Sequence, residues 1–285
     1  VVSKRTVRRI DDRLAQRRAI LHDAFHDSEE AAPVVARAGD ESQKMLLEIE
    51  GLKAGRRLQG VRLHVRAKEI VGVAGVEGNG QQELVEVLAG LREATTGTVR
   101  ARGSVEVVFE DRHRQGLVLP ASVADNAVLG EHARFERLFG LDLRALRDEA
   151  ARRVKSGEVS PPEIDLPVAA LSGGNQQKLV LAQALARDEA ARQRVFVLAQ
   201  PTRGVDLHAA RQIHLRIVAA AEKGAAVLVL SADLDELRAL CHRIVVLARG
   251  RIVGDARRDP SGNWDEAATN ERLGARMIEA GEGTS

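Results

Sequence analysis

The 285-residue chain has no tyrosine, one tryptophan and five phenylalanines, so aromatics make up 2% of it. Stacking nucleic-acid bases needs aromatic platforms, and this composition argues against such a surface. The lone cysteine, Cys241, excludes an internal disulfide and fits a reducing compartment. No apolar run approaches the roughly 20 residues of a membrane-spanning helix, and the first residues do not read as a signal peptide. Net charge is also nearly absent: 43 Lys and Arg against 41 Asp and Glu leave +2, too little to mark a nucleic-acid binder. What is present is ordinary for a globular protein, 44% hydrophobic and 29% charged, enough to bury a full core in one or two domains. The chain opens on Val1, which leaves a trimmed terminus and a fragment of a longer chain equally open.

Residues 1–45 stand apart. They are charged and helix-permissive, with sparse apolar positions at Ile10, Leu14, Ile20 and Leu21, and they end in the linker-like "APVVARAGDESQ". Their basic cluster reads better as a solvated helix face than as a contact for RNA or lipid headgroups. From about Met45 the pattern alternates between strands and helices. "MLLEIEGL" and "VRLHVRAKEIVGVAG" read as strands with a turn near Ala67–Lys68, and "GTVRARGSVEVVFE" returns to strands. "RVFVLA" and "AVLVLS" suit buried parallel strands. The helix between them is closed by Gly224, and "RIVVLARGRIVGD" reads as a hairpin turning at Arg249–Gly250. Residues 122–170 read as mostly helical, with a loop around "SPPEIDLP", and 281–285 as a tail.

The stretch "GVAGVEGNGQQELVEVLAGL" carries chemistry. Its Gly75 and Gly80 have the G-x-x-x-x-G spacing of a phosphate-binding loop, with Gly78 and Asn79 between them. Glycines let backbone N–H groups converge on an anion, and a following helix adds positive potential. Leu84, Val87, Leu88 and Leu91 fall on one face of that helix. The lysine and hydroxyl that complete G-x-x-x-x-G-K-[ST] are replaced by Gln81 and Gln82. A second glycine motif, "LSGGNQQK", precedes another apolar-periodic helix, with Ser172 as its natural cap.

"LSGGNQQK" resembles the signature of ATP-binding cassette (ABC) ATPases. With "AQPTRGVD" and "EDRHRQGL" it resembles the second nucleotide-binding domain of importers for simple sugars and nucleosides, over roughly residues 46–280. "EGNGQQELVE" leans toward the nucleoside branch. The resemblance implies a P-loop NTPase fold of the ABC type: an α/β core with a mixed sheet, an antiparallel β subdomain, and a helical subdomain at about 122–170. It implies that Ser172, Gly173, Gly174, Asn175 and Gln176 close over ATP and Mg²⁺ held by a partner domain. The resemblance also implies that Asp206 is the D-loop aspartate and that Glu110, Asp111 and Arg112 form the Q-loop segment that faces the permease.

Several positions depart from the family pattern. Gln81 is neutral, and the Gln82 amide is a poor ligand for a hard cation. The two carboxylates expected at the end of "VFVLAQ" are Ala199 and Gln200, the switch histidine is Ala232, the Q-loop glutamine is Glu110, and "LKAGRRLQGV" offers no aromatic for adenine. Losing cation, metal ligands and general base together removes hydrolysis from the chain's own loop. No metal site is expected on the chain itself. His208 and His214 have no partners at zinc spacing, His113 reads as a surface or interface side chain, Trp264 and Met277 as packing residues, and the acids of "DLDEL" as a helix N-terminus.

The expected protein is thus a degenerate cassette lying peripherally on the cytoplasmic face of the inner membrane. It pairs with an active nucleotide-binding domain of the same full-length chain and with permease subunits, and binds no nucleic acid. Two other readings remain: a soluble ABC protein acting on nucleic acid or the ribosome, and a regulatory domain that binds nucleotide without turnover.

Overall fold

The computed structural model describes residues 43–138, 140–187, 193–259, 261–265 and 269–279. The charged segment 1–42 and the tail 281–285 lie outside the described residues. Strands β1 (Met45–Ala54), β2 (Leu58–Arg66) and β4 (Thr96–Ala101) form an antiparallel sheet in the order β2-β1-β4. Strands β3 (Ile70–Ala74), β5 (Ser104–Val108), β8 (Arg194–Ala199), β9 (Ala226–Ser231), β10 (Arg243–Ala248) and β11 (Arg251–Arg257) form the larger sheet, ordered β11-β10-β3-β9-β8-β5. All its neighbours are parallel except β10–β11. The sequence dictates this division. β3, β9 and β10 are buried at every position and apolar apart from Ser231 and Arg243 at two of their ends, as strands covered on both faces must be. The edge strand β11 alternates between exposed and covered positions instead. One apolar core joins the inner faces of both sheets to Leu84, Val85 and Leu88 of helix α1 (Gln81–Leu88).

"GTVRARGSVEVVFE" is split between the two sheets, β4 joining one and β5 the other. Gly103, at φ 102°, makes the crossing turn, and a Cβ there would lie 1.9 Å from the Gln193 carbonyl. α1 is also shorter than its apolar stripe predicts. The Ala89 N–H bonds back to Val85 O, Gly90 takes φ 71°, and Leu91 is left 66% exposed beyond the helix.

The region 122–170 is less helical than its sequence suggests. After the short α2 (Arg112–Gln115) come α3 (Val123–Ala127), a 3-10 turn His132–Phe135, a two-residue hairpin β6 (Glu136–Arg137) with β7 (Gly140–Leu141), α4 (Leu143–Ser156) and a second 3-10 turn at 168–170. Asn126 is 1% exposed and spends its amide on Val118 and Ser122 backbone groups, fixing the turn into α3. Arg153, fully buried on α4, reaches Glu131 at 2.5 Å, Glu149 at 2.6 Å and the Ala127 carbonyl at 3.0 Å. This ion network ties α4 to the end of α3. The remaining helices are α5 (Gly173–Ala186), α6 (Leu207–Glu222), α7 (Leu234–Leu240) and α8 (Asn270–Glu279).

The β10–β11 turn sits where sequence places it, with Arg249 at φ 48° and Gly250 at φ 72°. Both central residues in the left-handed region match a type I′ hairpin turn. Gly250 also bonds to the start of β2, accepting the Gln59 N–H at 2.8 Å, and a Cβ there would lie 1.8 Å from the Arg57 carbonyl in the β1–β2 turn. Gly250→Ala is therefore expected to lower stability by about 1–3 kcal/mol from backbone strain alone, with the clash adding to it. A urea midpoint unchanged from wild type would contradict this.

Candidate functional site

Strand register assembles the site. In the parallel ladder Ala74 pairs with Ser231, and Ala199 with Leu230. The carboxyl ends of β3, β8 and β9 therefore finish side by side, where open α/β sheets place their ligands. Gly75 to Gly80 follow β3, Gln200 follows β8 and Ala232 follows β9. These three endings, the 109–115 segment and Arg57 line one groove of about 1220 Å³.

The glycine loop keeps its shape. Gly78 and Gly80 take φ of 93° and 104°, and Gly80 starts α1 without a side-chain cap, leaving the first-turn N–H groups for another acceptor. Asn79 points away from the groove toward the β10–β11 turn. Its Oδ1 accepts the Arg249 N–H at 3.2 Å and its carbonyl accepts the Gly250 N–H at 3.0 Å.

The chemistry of the loop is different. The Gln81 amide is folded onto Gly75, so that a Cβ there would meet Nε2 at 2.2 Å. The Gln82 amide donates to Glu86 at 2.8 Å, one turn along the helix. Ala199 has no side chain to offer. Gln200, held at φ 49°, has its Oε1 3.4 Å from the Ser231 hydroxyl, and Ala232 is exposed beside it. Seven carboxylates against four guanidinium groups line the groove. Gln82, Ala199 and Gln200, at the ends of the loop and of β8, are neutral and give a hard cation such as Mg²⁺ no anionic ligand, so these positions fit Mg²⁺–ATP poorly.

The signature forms a separate feature. Ser172 caps α5, its hydroxyl accepting the Asn175 N–H at 3.4 Å and the Asn175 amide at 2.9 Å. Gly173 and Gly174 form the first turn of the helix, which contains no acidic residue. Asn175 Oδ1 accepts the Ser160 N–H at 2.8 Å. Gln176 is 6% exposed; its Nε2 donates to the Leu171 and Val168 carbonyls, at 3.2 and 3.3 Å, and its Oε1 lies 2.8 Å from His113 Nε2. Arg112 Nε donates to the same oxygen at 3.4 Å. The signature is thus fastened to the 110–114 segment, where Glu110 pairs with Arg203 and Asp111 caps α2 through the His113 and Arg114 N–H groups. Asp206 caps α6. The Ala209 N–H on its carboxylate, at 2.8 Å, is the main reason this group sits below the usual carboxylate range.

One residue escaped sequence reading. Asp233 does cap α7, as the acids of "DLDEL" predict, but Glu236 is 6% exposed and faces inward. It receives the Thr202 hydroxyl at 2.5 Å and the Ser231 hydroxyl at 2.6 Å, and lies 3.1 Å from His214 Nε2. Burial pushes its carboxyl up, but hydrogen bonds from His214, Ser231 and Thr202 together outweigh burial and hold it below the ordinary carboxylate range. The only signal was an acid four residues before Leu240, on the helix's apolar side. Trp264 packs under the Arg258 guanidinium, 4.7 Å from its ring centre, and donates its indole N–H to Arg238 O; Met277 is buried.

A glycine loop between strand and helix at the carboxyl edge of a mixed sheet, with an antiparallel sheet beside it and a second glycine motif starting α5, defines a nucleotide-binding domain of the P-loop class. The sequence profile of the ABC transporter family matches residues 58–202, and the chain belongs to that family. It is 33% identical over 266 residues to the nucleoside import ATP-binding protein NupA of Lactococcus lactis subsp. cremoris, covering 86% of this chain and 50% of the relative. It is 39% identical over 248 residues to the ribose import ATP-binding protein RbsA 2 of Rubrobacter xylanophilus, covering 82% and 46%. The chain thus spans about half the length of these curated relatives. Its fold is that of solved cassettes. It matches a nucleotide-free ATP-binding cassette from an ABC transporter with a TM-score of 0.65 at 20% identity, over 84% of this chain and 100% of that one. It matches a dimeric bacterial ABC transporter cassette with a TM-score of 0.63 at 20% identity, over 74% and 98%. Among the described residues no helix is long and apolar enough to cross a membrane.

Proposed function

We propose that this chain is the second, degenerate nucleotide-binding domain of an ABC importer for a nucleoside or a ribose-type sugar. Its own loop does not hydrolyse ATP. Its signature, Ser172 to Gln176, closes instead over ATP and Mg²⁺ held by an active partner domain, and Asp206 reaches across the same interface. The partner lies in the same polypeptide, in keeping with relatives about twice as long. The pair works peripherally at the cytoplasmic face of the membrane, where the segment that begins with Glu110 and Asp111 meets the permease.

The observation that carries this reading is the division of losses. Every lost group belongs to the chain's own groove: Gln81, Gln82, Ala199, Gln200 and Ala232. The signature keeps its cap, both glycines and a buried glutamine that fixes its orientation. Backbone N–H groups at a helix start stabilise phosphate charge without a lysine of their own. The kinship with NupA and RbsA supports the solute class, and the dimeric cassette supports pairing of two such domains.

Steady-state ATP turnover of the assembled transporter carrying Gly174→Asp tests the reading; a rate equal to wild type overturns it. A companion variant probes the loop. Gln81→Lys restores the cation but supplies neither metal ligand nor base, so it is expected to add no Mg²⁺-dependent turnover to the chain by itself. Measurable turnover by that single variant would contradict the roles given to Ala199, Gln200 and Ala232.

A further inference from the structure

Arg112 occupies an unusual position. It belongs to the segment after β5, yet its guanidinium lies over the start of α5, where a Cβ on Gly173 would meet Nη2 at 2.9 Å. A Cβ on Gly204, in the segment after β8, would lie 4.0 Å from the same nitrogen. Nε donates to Gln176 and Nη1 donates to the Arg203 carbonyl at 3.3 Å, so both bonds go to neutral acceptors. Among the described residues no carboxylate lies within ion-pairing distance of Arg112, whereas neighbouring Arg203 is paired with Glu110. Two of the three nitrogens therefore fix the side chain. The third, Nη2, is left at the mouth of the signature with two N–H donors and an uncompensated positive charge.

We propose that Arg112 is a further catalytic residue of the interdomain site, contacting the phosphates of the ATP that the partner domain holds. This rests on the reading of Ser172 to Gln176 given above. The signature itself offers only neutral donors: two glycine N–H groups and the Ser172 hydroxyl. Charge-assisted hydrogen bonds to phosphate are about twice as strong as neutral ones, and a guanidinium fork matches phosphate oxygens in pairs. Gln176 is the positioning residue for this contact. Its Nε2 is anchored on two carbonyls at the end of the helical lobe, and its Oε1 receives Arg112. A cation fixed in this way needs no rearrangement when charge develops on the transferring phosphoryl group. The chain that lost the lysine of its own loop thus presents a cation to its partner's nucleotide.

The test is ATP turnover of the assembled transporter with Arg112→Gln and Arg112→Lys, measured beside Gly174→Asp. Arg112→Gln is expected to lower kcat about 10²- to 10³-fold, the range set by removing one preorganised donor at a reacting centre. Arg112→Lys keeps the charge but loses the fork and the two anchoring bonds, and is expected to recover part of that loss. A purely structural link to Gln176 and Arg203 would not give rescue by charge alone. Equal losses in the two variants, or wild-type turnover in Arg112→Gln while Gly174→Asp is inactive, would overturn the role of Arg112 and leave the signature reading intact. Wild-type turnover in Gly174→Asp would instead overturn the signature reading, and this inference with it.

Discussion

Gly174→Asp is expected to reduce ATP turnover of the assembled transporter by about 10³-fold. The expectation comes from charge. A carboxylate on Gly174 would stand in the first turn of α5, among the N–H groups proposed to cover the partner's triphosphate. Two like charges about 4 Å apart interact by roughly 4 kcal/mol at an effective dielectric near 20, and each 1.36 kcal/mol is a factor of ten in rate. Turnover is read beside the urea midpoint of the variant, because Gly174 is buried and the new carboxylate would face that of Asp206. Gly174 does not lie in the left-handed region, and an acid in the first turn of a helix is favourable for the helix itself. Space is the smaller concern: a Cβ at this position meets the Ala209 methyl at 3.3 Å, which must give by a few tenths of an ångström, and lies in ordinary contact with Asp206 Oδ2 at 3.6 Å. Gly174→Ala separates the two effects, since it adds the methyl without the charge. It is expected to lose far less activity than the aspartate, and equal losses would place the cause in packing.

Arg153→Met is expected to destabilise the domain by about 3–5 kcal/mol, the range for breaking a buried ion pair from one side. The substitution nearly keeps the volume but leaves Glu131, 6% exposed, without its main cation. Burial pushes the Glu131 carboxyl up, yet hydrogen bonds from Arg153 and Arg134 outweigh burial and hold it below its ordinary range. A depressed folded pKa gives stability that is full above the unfolded carboxylate range and is lost as pH falls through the folded value. The penalty of Arg153→Met should therefore be greatest near neutral pH and shrink under acid, because protonated Glu131 no longer needs a cation. Urea unfolding at both pH values measures it. Replacing Glu131 by leucine in the same chain removes the stranded charge and is expected to recover part of the loss. A double variant no more stable than Arg153→Met would show that the network does not act as a pair.

The two glycine motifs were legible because glycine spacing is a local property, and the surrounding strands because fully buried parallel strands read as unbroken apolar runs. Gln81, Gln82, Ala199, Gln200 and Ala232 could be named without coordinates for the same reason: each follows a strand or loop that identifies its position. What could not be read were contacts between distant segments. Nothing in the sequence puts Arg112 against Gln176, which lies 64 residues away, or Glu236 against Thr202, 34 residues away. The helical lobe was overread for a different reason. Strands of two residues, such as those of the β6–β7 hairpin, are shorter than one period of any hydrophobic pattern. α1 was overread by one turn because Leu91 continues the stripe while Gly90 ends the helix.

The bonds from Asn79 to Arg249 and Gly250 mean that the glycine loop is braced from outside the groove it lines. Its curvature is a property of the hairpin behind it and does not wait on a ligand. A loop braced in this way keeps its shape whichever side chains stand at 81 and 82. The shape of the loop and its side-chain chemistry are thus carried by different residues.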